Sequence, residues 1–187
     1  MVHKEKTLKN KEERQKTRLD SAKRILNKTH IDRDLDLHNI PITNLGNLTS
    51  VKGWLDLHKT SITNLGNLTS VEGLYLNNTP ITNLGNLTNV GGGLNLSNTP
   101  ITNLGNLTSV DGDSDLHSTR ITNLGNLTSV NGDLNLSNTP ITNLGNLTNV
   151  EGYLYLYRTP ISKMNELQRQ EILKNVKVKG RIIYEYK

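Results

Sequence analysis

The 187 residues include 33% hydrophobic side chains, seven aromatics, no Phe and no Cys. The missing cysteine excludes disulfides, thiolate metal sites and a cysteine nucleophile, and fits a reducing compartment; so little apolar content argues against one large central core. The net charge of +5 hides an asymmetry: residues 1–33 carry eleven Lys/Arg against five Asp/Glu, residues 34–160 four against nine, and residues 161–187 seven against three, so basic ends flank an acidic middle and the overall charge is a poor guide to any binding surface.

The opening stretch, MVHKEKTLKNKEERQKTRLD, is charged and lacks an apolar h-region, which argues against a secretory signal. No run in the chain approaches the roughly 18 apolar residues of a membrane span. The expectation is a cytoplasmic protein with no membrane association. Residues 7–28 predict a helix with a weak apolar face, Leu8, Leu19, Ala22, Ile25 and Leu26, that strengthens toward its C-terminal end. Residues 1–30 are therefore read as a basic N-terminal capping helix.

Beyond it the octapeptide ITNLGNLT occurs letter for letter from Ile42, Ile62, Ile81, Ile101, Ile121 and Ile141. Aligning on the residue two before the marker glycine (Arg33 in the first copy) gives Ile31, Val51, Val71, Val90, Val110, Val130 and Val150, spaced by 20 except for 19 between Val71 and Val90. The unit is V-x-G-x-L-x-L-x-x-T-P-I-T-N-L-G-N-L-T-S/N. Alternation across V-x-G-x-L-x-L predicts a strand with V, G, L and L on one face and the x positions on the other. The segment after it predicts short irregular stretches that fold back. Leu35, Leu37, Ile42, Leu45 and Leu48, with their copies, are the expected core columns; the Gly46 column is expected to supply a positive-φ turn. The Thr43, Asn44 and Asn47 columns are expected to form side-chain ladders along the stack, and the NLT sequons are read as structural.

The pattern L-x-L-x-x-T-x-I-x-x-L resembles the leucine-rich repeat, with Thr where that family usually has Asn, and V-x-G-x-L-x-L is also similar to the receptor L-domain repeat. The resemblance covers residues 31–161. It implies an α/β repeat, a leucine-rich-repeat solenoid with one parallel β-sheet on a concave side, flanked by N- and C-terminal helical caps. Repeats this alike are typical of bacterial and phage proteins. Residues 162–187 are read as the C-terminal cap: an amphipathic helix in SKMNELQRQEILKNV, carrying Met164, Leu167, Ile172 and Leu173, then a last strand in which Val178, Gly180 and Ile182 recover the repeat. Lys and Arg in KVKGRIIYEYK would guard that final edge.

The outward strand positions are where the variation between copies lies. All the aromatics fall on strand segments, and Trp54, Tyr75, Tyr153, Tyr155, Tyr157 and Tyr186 are expected to project outward, where exposed Trp and Tyr are typical of recognition hot spots. Tyr153, Tyr155 and Tyr157 form one row beside Arg158; packing of that row under the C-terminal helix is the alternative. In VDGDSDLHSTR, Ser114 replaces a core leucine, and Asp111, Asp113 and Asp115 read as an acidic patch for a basic partner, because their spacing lacks the full calcium-loop pattern. The LDLH copies set Asp36, His38, Asp56 and His58 on one face, an arrangement able to hold a divalent metal or act as an acid/base pair. The same columns continue as Asn, Ser and Tyr, which favours polar surface. No nucleophile elbow, P-loop, zinc-helix motif or dinucleotide fingerprint occurs, so no catalytic residue, cofactor or metal ligand is assigned.

The expected function is a non-enzymatic protein–protein interaction module whose partner has a basic surface, bound through Trp54, Tyr75, Asp111, Asp113, Asp115, Tyr153, Tyr155, Tyr157 and Arg158. The alternative is nucleic-acid association through the basic N-terminal helix and C-terminal tail. Oligomeric state is left open.

Overall fold

The computed structural model describes residues 2–185, and side chains from residue 10 onward. Helix α1 (Val2–Leu26) leads into a parallel-strand solenoid with turns of about 20 residues. Each rung carries the paired positions that the repeat alignment marks: Ile31 lies beside Val51, Val51 beside Val71, Val71 beside Val90, and so on to Val150 beside Val178. The 28-residue step before Val178 holds an inserted 3-10 turn (Ile161–Lys163) and helix α2 (Glu166–Leu173).

The core is a set of columns, as the apolar spacing demands. Leu55, Leu57, Ile62, Leu65 and Leu68 are fully buried and their copies stack on them in the later turns, with Ser114 the one polar member of the Leu55 column. Each rung thus buries its apolar edge against the rungs above and below, which is how a chain with few hydrophobic residues builds a continuous core. At the first turn, Ala22 and Leu26 of α1 close the stack and Leu19 and Ile25 pack beside them. The Leu26 carbonyl accepts the Asn47 N–H at 3.0 Å, so the last turns of the helix are docked. Leu8 falls outside the described side chains.

Three expectations are corrected. The strand V-x-G-x-L is continuous only in β3 (Ser50–Asp56) and β4 (Ser70–Tyr75). Before them stand the two-residue pieces β1 (His30–Ile31) and β2 (Leu35–Asp36), and later rungs break in the same way, as Ser109–Val110 and Ser114–Asp115 do. The 14-stranded sheet is therefore two short ladders fused only through β3 and β4. Second, Asn44 and its copies do not form a ladder. Each side-chain oxygen accepts the N–H of the glycine two residues on, as Asn44 does from Gly46 at 2.9 Å, which holds those glycines at φ 57° to 61°. Along the stack the hydrogen bonds come from a different column, in which Thr49 donates to the Thr29 carbonyl and Thr128 to that of Thr108. The Thr43 and Asn47 columns contribute one such bond each among the described residues, from Thr142 and Asn126.

The third correction concerns Leu167, which is 77% exposed. The half-buried side of α2 runs through Arg169, Ile172 and Leu173, at i, i+3 and i+4, and Leu167 is off that stripe. Asn165 caps the helix and exchanges bonds with Gln168 in a capping box. No helix among the described residues is long and apolar enough to cross a membrane.

Candidate functional site

The outward positions of the rungs form one face, and Trp54 and Tyr75 lie near its α1 end. Trp54 pairs with Gly73, because the register slips where the 19-residue repeat lacks one residue. A Cβ on Gly73 would fall within the Trp54 ring, and one on Gly93 would come 3.1 Å from Cη2. The indole thus lies across a floor of glycines and stacks on Tyr75 with centroids 4.9 Å apart and planes 20° from parallel. Trp54 remains 37% exposed and Tyr75 38%. The Trp54 residue was legible in the sequence; its seat was not, although the short repeat and the run Gly91-Gly92-Gly93 were the signals for it.

At the other end Tyr153 is 42% exposed and tilts toward Tyr155, with ring centroids 6.1 Å apart. Tyr155 is half-buried and its hydroxyl faces Asp133 Oδ2 at 3.4 Å. Burial pushes the Tyr155 hydroxyl up from its ordinary pKa, and the charge of Asp133 pushes it the same way. The Arg158 guanidinium lies 4.9 Å over the Tyr157 ring. Arg158 stands in a second positive-φ column, with Asn39, Lys59, Asn78, Asn98, Ser118 and Asn138, at φ 53° to 58°. Tyr184 meets α2: its ring carries the Arg169 guanidinium at 4.5 Å. Tyr186 lies outside the described residues.

Asp111, Asp113 and Asp115 share one rung but do different work. Asp111 accepts from the Asn131 amide at 3.2 Å, Asp113 from the Asp133 N–H at 2.8 Å, and Asp115 from the His117 N–H at 3.2 Å. The bond from Asp113 belongs to a device that sequence reasoning missed. Where the strand breaks, an aspartate three residues after the Ile or Val marker reaches the next rung and accepts the N–H that the ladder leaves open. Asp34 does this for Trp54, and Asp133 for Tyr153, each at 2.8 Å. An aspartate thereby fixes the backbone of the aromatic residue at each end of the face. Comparison with known proteins finds no matching family model and no matching curated protein. What the face does must be read from its own chemistry.

The LDLH copies also resolve into a unit. The Asp56 Oδ1 accepts the His58 N–H at 3.0 Å and meets His58 Nδ1 at 2.6 Å, and Asp115 and His117 repeat the pair at 2.8 Å. Asp36 and His38 are joined likewise. The Asp36 carboxyl is raised by its partial burial, but the His38 side-chain and backbone hydrogen bonds outweigh that and hold it below the ordinary range. In the copies Asn95–Ser97 and Asn135–Ser137 the amide oxygen accepts the same N–H, at 3.0 and 3.1 Å.

Proposed function

We propose that the protein is a non-enzymatic binding module whose strand face holds a macromolecular partner, a protein with a basic surface. The observation that carries this reading is the concentration of exposed aromatics on one face: Trp54, Tyr75 and Tyr153 are among the few large hydrophobic side chains left open. Large apolar surface left in water is costly, and rigid aromatic anchors are the commonest hot spots of interfaces. From Tyr75 to Tyr155 is four rungs, or about 19 Å at the usual strand spacing, a span that suits one helix or loop of a folded partner. Between the anchors stand Glu72, Asp111, Asp113, Asp115 and Asp133, with no Lys or Arg among residues 71–117, so the middle of the face selects for positive charge. Arg158 rims the Tyr157 end.

The same reading takes the solenoid as leucine-rich-repeat type, of the bacterial or phage kind, working in the cytoplasm. In support, the Thr that replaces the family's Asn is buried and its hydroxyl donates to the carbonyl three residues back, as Thr60 does to Leu57 at 2.7 Å. A second reading, nucleic-acid association, is favoured by α1, where residues 10–18 are exposed on every side. Lys11, Arg14 and Lys16 are exposed there to phosphates, and such binding would fall steeply with salt. The side chains of Lys4, Lys6 and Lys9 are outside the described residues.

The test is affinity capture from host lysate with the wild type and a Trp54→Ala, Tyr75→Ala, Tyr155→Ala variant, after circular dichroism has shown the variant folded. A protein captured by the first and lost by the second supports the face as the binding site. Retention of every partner by the variant would sink it. Oligonucleotide retention at low salt, abolished by Lys11→Ala and Arg14→Ala, would move the function to α1.

A further inference from the structure

Two histidines on adjacent rungs make an arrangement that the turn beneath them does not need. His38 and His58 lie ring on ring, with centroids 4.9 Å apart and planes 1° from parallel. Asp36 pairs with Asp56 in register below them. The turn itself requires only an oxygen that accepts the N–H two residues on, and Asn95–Ser97 and Asn135–Ser137 supply that without an imidazole. What the Asp–His copies add is a carboxylate on each Nδ1. A carboxylate only accepts, so Nδ1 carries the proton and Nε2 presents its lone pair, the orientation that a carboxylate gives to metal-binding histidines. Donor atoms of Asp36, His38 and Asp56 lie within 4.8 Å of one another.

We infer that His38 and His58 bind a divalent transition-metal ion of the zinc or nickel kind through their Nε2 atoms. Asp36 and Asp56 stay on Nδ1, on the far side of each ring from the ion, and orient the two ligands. The rings close toward each other at their Nε2 edges, since metal–nitrogen bonds of about 2.1 Å bring two ligating nitrogens closer than stacked rings stand. Imidazole donors select such ions over calcium, which takes six or more oxygens. Two carboxylates stand against Arg18, whose Nη2 donates to the His38 carbonyl at 3.1 Å. Both histidines keep access to solvent, with side chains 33% and 27% exposed. Bound there, the ion ties the first rung to the second, beside the dock of α1. The chain also contains its own control: His117 has the same aspartate, but its neighbours on the adjacent rungs are Ser97 and Ser137.

The experiment titrates the tag-free, chelator-stripped chain with zinc chloride alone at neutral pH by calorimetry, for the wild type, His38→Gln, His58→Gln and His117→Gln. A single site is expected, weakened about tenfold or more by either of the first two changes and untouched by the third. The imidazole nitrogen shifts of the wild type, followed by NMR in the same titration, should move for His38 and His58 together and not for His117. That second readout stands even if a variant fails to fold. No uptake by the wild type at millimolar zinc, equal binding by His38→Gln, or shifts in His117 that match those of the pair would each overturn the assignment.

Discussion

Ser114 shows what one side chain costs in a stacked core. It occupies a leucine column, between Leu94 and Leu134, is 1% exposed, and its hydroxyl has no hydrogen-bond partner. A buried hydroxyl without a partner is unfavourable by about 1–3 kcal/mol, and the missing leucine forfeits its burial. Ser114→Leu should therefore raise the unfolding free energy by about 1–2 kcal/mol in urea titrations, and Ser114→Ala by less. A loss of stability in the leucine variant would mean that the neighbouring turns have closed over the serine. Trp54 offers a second probe, because it is the only tryptophan. A methyl on Gly73 displaces the indole from its glycine floor. Gly73→Ala should shift the fluorescence emission to longer wavelength while the far-ultraviolet dichroism stays unchanged.

At the scale of the element, the turn after each strand needs a left-handed residue. Asn meets that need in four copies, but Lys59, Ser118 and Arg158 occupy it too. A side chain with no local hydrogen bond pays about 1 kcal/mol there, so Lys59→Asn should stabilise the protein by a good part of that amount, read as a higher denaturation midpoint at unchanged slope. The last rung is held differently. Lys179 donates to Glu151 at 3.0 Å, and that bond is the main cause that keeps the Glu151 carboxyl below its ordinary range. A pKa lower in the folded state means stabilisation that is present above the unfolded carboxylate range and lost as pH falls through the folded value. Wild type and Lys179→Ala should therefore differ in stability at neutral pH and converge in acid. A gap that persists in acid would show that the lysine acts through packing.

At the scale of the whole molecule, a solenoid is close to additive, because the backbone of each rung pairs only with its neighbours. Removing residues 119–138, one full period, should leave a folded, shorter protein with unchanged tryptophan emission. It brings the two aromatic ends of the face closer by about 4.8 Å. A partner that grips both ends should then bind more weakly, and a partner that grips one should not; the affinity of the shortened chain distinguishes them.

Much of this was written in the chain itself. A period of 20 with apolar residues at fixed places dictates which side chains face inward, because every copy must bury the same columns, and the pairing of Ile31 through Val178 follows from that alone. The glycine of ITNLGNLT likewise announces its positive φ. What the period could not specify is anything that passes from one rung to the next. The break in the strand at x-G-x, the aspartates that span it, the glycine floor under Trp54 and the stacking of His38 on His58 all join residues 19 or more positions apart. Hydropathy records only which way a side chain faces. Which neighbour it meets there depends on the register of the stacked turns, and that exists only once the chain has folded.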